Sequence, residues 1–149
     1  MAGKSDTFEY NLLKHVFNGT AISTLNATGG TTSLWVGLHT ADPGDAGSTA
    51  NEGGYTAYTR VQTDRSTGTT GWNVTSGTSA ALASASPTGT LSFPQVATTS
   101  TGTFGYASVY LSSDISSSGM VYFGAISPTI AFQQNTTPQI TSGSSITED

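Results

Sequence analysis

The stretch from Leu34 to Val61, LWVGLHTADPGDAGSTANEGGYTAYTRV, decides the fold class of this chain. Large apolar residues alternate from Leu34 to Leu38, and this period of two is typical of a β-strand. A turn signal at Pro43-Gly44 and a loop of small residues then interrupt the strand before a second, Tyr-rich strand begins. Because no part of this stretch can continue as a helix, it predicts an all-β antiparallel protein, a jelly-roll-like sandwich or barrel.

Composition supports a folded β-protein of one domain. The chain has 149 residues, a length at which about 70% of the unfolded surface can be buried. Only 9% of the residues are charged, against about 25% in typical domains, and Ser and Thr make up roughly a third of the chain. Such polar tracts are often disordered. Here, however, aromatic residues reach 9% and lie within β-branched runs, which favours a folded sheet.

Beyond the opening stretch, alternation and turn signals predict a series of short strands at spacings typical of an antiparallel sandwich. The predicted strands lie near Ala57–Gln62, Thr69–Thr75, Thr90–Ala97, Thr103–Leu111, Met120–Ile126, Thr129–Phe132 and Gln139–Thr141.

One amphipathic helix is predicted near the N-terminus, from about Asp6 to Asn18, with Ser5 or Asp6 as its cap. Two roles are open for this helix: it covers an open end of the sandwich, or it docks onto a neighbouring subunit. The two roles are compatible. We expect residues 1–30 to form this helix and an arm, and residues 31–149 to form the sandwich, within a single domain overall.

The two late strands lack a polar face. Alternation puts Phe104, Tyr106 and Tyr110 on one side of their strand and apolar residues on the other, and the strand that contains Tyr122 is similar. An antiparallel strand with one side in water should alternate apolar with polar residues, so both sides are expected to be covered, by the helix, by a loop or by another protein. Little charge follows Arg65 to protect the strand edges, which predicts self-association. The predicted interface residues are Phe8, Leu12, Val16, Tyr106, Tyr110 and Tyr122.

Charge and hydropathy along the chain argue against a nucleic-acid partner and against a membrane span. The formal charge is −5, and the four Lys and Arg residues are scattered, whereas nucleic-acid binding needs clustered cations. No apolar run approaches the ~18 residues of a membrane span. The N-terminus lacks the apolar region of a Sec signal, so we expect assembly inside a host cell followed by release.

No motif predicts catalysis, a metal site or a cofactor. Asp42, Asp45 and Glu52 lie near a Gly-rich loop, but their spacing matches no calcium loop and Asp-Pro-Gly-Asp is more simply a turn. A Ser-His-Asp triad built on His39 is formally possible, yet the chain has no Gly-x-Ser-x-Gly elbow. Strand aromatics such as Trp72 could stack on sugar rings, although they are more often core or interface residues.

Several segments in order resemble the small virion proteins of tailed bacteriophages, called capsid cement (decoration) proteins in some phages and tail-fibre proteins in others. They are Leu34–Gly47, Glu52–Tyr55, Leu91–Pro94, Tyr106–Leu111 and Ser117–Ile126. The Ser/Thr-rich middle from Arg65 to Gly89 departs from that pattern.

This resemblance implies a jelly-roll-like domain that coats or bridges virion subunits without catalysis. The function expected first is a capsid cement protein on the capsid exterior, assembled in the host cytoplasm. Its expected partners are the major capsid protein and copies of itself, as a dimer or trimer. A tail or fibre component and a carbohydrate-binding sandwich module are the alternatives.

Overall fold

The computed structural model of the chain describes residues 3–5, 8, 10–12, 21–22, 32–75, 83–117 and 119–148. The all-β antiparallel prediction is confirmed, since every strand pair in these residues is antiparallel. The strands are β1 (Gly3–Lys4), β2 (Ser33–His39), β3 (Val61–Asp64), β4 (Trp72–Thr75), β5 (Ala83–Pro87), β6 (Leu91–Ser92), β7 (Gly102–Tyr110), β8 (Met120–Phe132), β9 (Gln139–Ile140) and β10 (Ile146–Glu148).

Three sheets form from these strands. The largest has the order β1-β8-β7-β2-β3, the second β10-β5-β4, and the third pairs β6 with β9. In the large sheet, Val36 pairs with Val109 and Leu38 with Ala107, so the short alternating runs of β2 and β7 place their apolar side chains on one face. The two smaller sheets contribute residues to the hydrophobic core on that face.

An aromatic cluster forms the centre of the core. Its members are Tyr55, Tyr58, Phe93, Phe104 and Phe132, all buried. The rings of Phe104 and Phe132 lie 4.5 Å apart between centroids, and Tyr58 stacks on Phe93 at 6.0 Å. Full burial of one such side chain contributes about 1.5–3 kcal/mol, so this cluster ties β7 and β8 to the segments that cover them.

A β-bulge interrupts the long β7–β8 pair. Phe104 pairs with Ile130 but Tyr106 pairs with Ala125, so residues 126–129 stand opposite Gly105 alone. The extra residues reverse the alternation, and Phe104 therefore joins the core face instead of the face that Tyr106 occupies. The two strands predicted at 120–126 and 129–132 are one bent strand.

At the N-terminus, β1 adds an edge strand to the large sheet at Tyr122 and Phe123. Phe8 and residues 10–12 are helical, and the Phe8 N–H donates to Ser5 Oγ at 3.3 Å, as the predicted Ser5 cap requires. The other residues of the predicted helix lie outside the described residues. The full helix, the jelly-roll arrangement and the division at residue 30 stay predictions. None of the helical residues described belongs to a helix that is long and apolar enough to cross a membrane.

Candidate assembly interface

A buried ion pair lies on the large sheet, on the face opposite the hydrophobic core. Arg60 Nε and Nη2 donate to the two carboxylate oxygens of Glu52, each at 2.7 Å, and neither side chain is exposed to solvent. The guanidinium also lies over the Tyr110 ring, 3.3 Å from its centroid. This two-point contact uses the planar fork of arginine, which lysine cannot reproduce.

The same arginine fixes the connection between β7 and β8. Arg60 donates to the carbonyl oxygens of Ser112 at 2.8 Å, Ser117 at 3.2 Å and Ile115 at 3.5 Å. Because one buried cation contacts three carbonyls of one loop, the loop's path is set by the interior of the protein. We call residues 112–117 the pinned loop.

Hydrogen bonds within the pinned loop order it further. Asp114 Oδ1 accepts from the Ser116 backbone N–H at 2.9 Å and from Ser116 Oγ at 2.7 Å. These two bonds hold the pKa of the exposed Asp114 carboxyl below its usual range, and the bond from the Ser116 hydroxyl has the larger effect. The carboxylate is therefore charged at neutral pH. The next residue, Ile115, is 42% exposed. The loop thus presents an apolar side chain next to a negative charge.

His39 and Ser108 lie beside the ion pair and are also buried. His39 Nε2 is 2.7 Å from Ser108 Oγ and 3.1 Å from the Tyr110 hydroxyl. Burial lowers the pKa of His39 to about 4, so the ring is neutral at pH 7. Its Nδ1 has no hydrogen-bond partner among the described residues, whereas a Ser-His-Asp triad requires a carboxylate there. His39 and Ser108 therefore lack the geometry of a catalytic triad.

The Glu-Gly-Gly-Tyr motif shapes the segment that carries Glu52. Gly53 has a φ of 74°, a conformation that favours glycine, and its N–H donates to Leu38 O at 2.9 Å. A Cβ on Gly54 would lie 2.7 Å from the Phe132 ring, so only glycine fits beneath that side chain. Tyr55 then enters the core and donates to a backbone carbonyl through its hydroxyl.

The predicted Asp-Pro-Gly-Asp turn is present. Asp42 Oδ1 accepts from the Gly44 N–H at 2.9 Å, and the base of the loop is closed by the Thr40 N–H, which donates to Asn51 O at 3.0 Å. Both carboxylate oxygens of Glu52 already accept hydrogen bonds from Arg60. Within the described ranges, no three acidic or histidine side chains come together as a metal site would need.

An apolar cavity of about 510 Å³ lies between the large sheet and the three-stranded sheet. We call it the inter-sheet cavity. Val74, 70% exposed on the edge strand β4, contributes to its lining, and a smaller cavity of about 220 Å³ adjoins it. Its lining includes Leu34, Arg65, Trp72, Val74, Val109 and Tyr122.

The fold and this geometry can be compared with known proteins. The model of a family described as "Podophage GP4 fiber I protein gp80" matches residues 3–147. The chain belongs to this family. The resemblance to tailed-phage virion proteins is therefore confirmed, and the family assigns the chain a structural role in the virion. No curated protein matches the chain.

Of the predicted interface residues in this fibre family member, two contact each other. The rings of Phe8 and Tyr122 lie 5.7 Å apart, so the N-terminal segment packs against the chain's own sheet at this point. Both are half-buried, as are Leu12 and Tyr106. Val16 lies outside the described residues. An interface role for these residues stays a prediction.

Tyr110 is completely buried within the chain, with the Arg60 guanidinium over its ring. At this position the protein's own arginine covers the face, and an interface role for Tyr110 stays a prediction.

Trp72, the candidate for sugar stacking, is half-buried against the core. Its indole N–H donates to Thr63 Oγ1 at 3.0 Å, so its polar group is used within the protein. Sequence reasoning missed Ile115 and Val74 as surface features. The sequence does carry a signal for both, since each is a lone aliphatic residue between polar neighbours (SSDISSS and NVTS).

Proposed function

We propose that this chain is a structural subunit of a phage fibre. The observation that carries the proposal is the match of the fibre family over residues 3–147. A description that names a fibre supports this function over the capsid cement function, which the resemblance led us to expect first.

The surface chemistry suits a particle component. Charged residues are only 9% of the chain, and the ion pair between Glu52 and Arg60 is completely buried. Exposed ionic contacts weaken in salt because counterions screen them, whereas buried ones are screened much less. A subunit of this kind holds its shape as ionic strength changes outside a cell.

Imaging of particles tests the proposal. Cryo-electron microscopy would compare particles that contain the chain with particles from a phage whose gene for it is deleted. We expect the density that disappears to belong to a fibre. Loss of density spread over the shell, in contact with the major capsid protein, would overturn the proposal and establish a cement protein on the capsid exterior.

A further inference from the structure

The pinned loop has the properties of a preformed contact. A buried ion pair is weak evidence for stability, because the cost of removing both charges from water offsets much of their attraction. This ion pair also has a second role, because Arg60 donates hydrogen bonds to the carbonyl oxygens of Ser112, Ile115 and Ser117. A loop fixed before binding loses little entropy when it binds. What this loop presents is the exposed Ile115.

The inter-sheet cavity has the properties of a receiving site. Its volume of about 510 Å³ falls within the range of about 300–1,000 Å³ that is typical of pockets for small molecules. Leu34, Val74, Val109 and Tyr122 give it an apolar lining. Val74 remains 70% exposed, so the lining continues to the protein surface.

The charges beside these two features are opposite. Asp114, ionised at neutral pH, adjoins Ile115 in the pinned loop. Arg65 lines the inter-sheet cavity and is exposed to solvent, whereas Arg60 is buried. The chain has only four Lys and Arg residues, and one of them lies at this cavity. Its charge is opposite to that of Asp114 in the pinned loop.

We propose that Ile115 of one copy enters the inter-sheet cavity of a second copy, with Asp114 facing Arg65. The occupant is a second copy because one chain carries both complementary features. This inference rests on the proposed function, since a fibre repeats its subunits. A contact between two different patches of one chain builds rings or filaments, and repetition strengthens contacts that are weak singly.

Two single variants and their mixture test the proposal. Ile115→Asp removes the inserting side chain, and Val74→Asp places a charge in the lining of the cavity. Sedimentation velocity of the purified full chain should show self-association of the wild type, and at least about tenfold weaker association of each variant alone. An equimolar mixture should recover association as heterodimers, because each variant keeps the half that the other lacks.

The controls separate this contact from misfolding and from surface charge in general. Ala97→Asp, at another exposed position, should associate like the wild type, and circular dichroism should show all variants folded. Asp114→Asn keeps the oxygen that Ser116 contacts but removes the charge. Combined with Arg65→Gln, it should weaken association no more than either change alone, since the two charges act as one pair.

Three results would each overturn the inference: a wild type that stays monomeric, variants that associate as the wild type does, or a mixture of folded variants that stays apart. Failure here is distinct from failure of the proposed function. A monomeric chain that particle imaging places in a fibre would leave the function standing, and a self-associating chain spread over the shell would overturn the function alone.

Discussion

At Gly37, in β2, the sheet passes directly beneath the buried polar network. A Cβ at this position would lie 2.7 Å from Glu52 Oε1 and 2.9 Å from Tyr110 Cε2. Both atoms belong to side chains held by Arg60, so neither can move aside without disturbing the ion pair. The close approach of these two side chains therefore explains why the motif has glycine at position 37.

We predict that Gly37→Ala lowers the free energy of unfolding by about 1–3 kcal/mol, the usual cost of overpacking. The matched control is Gly105→Ala in β7, where no atom lies within 4 Å of the added Cβ. That change should stay within about 0.5 kcal/mol of the wild type. Urea unfolding measures both, and equal effects at the two glycines would contradict the close approach at Gly37.

At the scale of elements, the pinned loop depends on one side chain from a distant segment. We predict that Arg60→Ala lowers the free energy of unfolding by about 3–5 kcal/mol, because it leaves Glu52 buried without its partner. Amide hydrogen exchange within residues 112–117 should accelerate as well. Arg60→Lys should restore little of either effect, since an ammonium group cannot contact both oxygens and three carbonyls together.

Arg65→Ala serves as the comparison, because this arginine is exposed and does not contribute to the ion pair between Glu52 and Arg60. It should leave exchange in the pinned loop unchanged. Slow exchange of residues 112–117 in folded Arg60→Ala would show that bonds within the loop suffice to order it.

The elements that the sequence predicted well are those with apolar alternation. β2, β7 and the first half of β8 fall where they were expected, because Val, Leu and Tyr mark their faces. β5 and β10 were not predicted. Residues 83–87 are ASASP, and they become a strand through pairing with β4 and β10, which no local pattern records.

The second strand of the opening stretch was predicted too early. The prediction covered Ala57–Gln62, whereas β3 is Val61–Asp64. The two tyrosines that suggested a strand, Tyr55 and Tyr58, instead turn into the core, with the Tyr58 N–H donating to Tyr55 O at 3.1 Å. Aromatic residues satisfy a strand pattern and a core-filling turn equally well.

At the scale of the whole molecule, His39 links folding to pH. Burial, assisted by Arg60, lowers its pKa from 6.5 to about 4, although the Glu52 charge acts in the opposite direction. Between pH 6.5 and 4 the unfolded chain therefore binds the proton that the folded chain excludes. We predict that this residue's contribution is complete above pH 6.5 and falls by up to about 3 kcal/mol as the pH drops to 4.

Unfolding in urea across this pH range would measure the effect. His39→Gln should flatten the loss of stability, whereas His15→Gln, which changes the chain's other histidine, should retain it. An unchanged slope in folded His39→Gln would mean that other groups carry the pH dependence.

The virion class could be predicted from sequence, but the candidate interface could not. Residues 34–55 carry motifs whose order indicates a family, and those motifs are local. The covering of Tyr110 by Arg60 joins positions fifty residues apart, and no spacing rule pairs them. The inter-sheet cavity likewise exists only after β4 has taken its place opposite the large sheet.

The closed base of the loop between Thr40 and Asn51 offers a practical handle. Because the backbone bond between these residues fixes both ends, and Asp45 and Ala46 at the tip are exposed, a short peptide inserted between those two should project outward without disturbing the sheet. Such an epitope tag would let antibodies mark every accessible copy of the subunit on an intact particle.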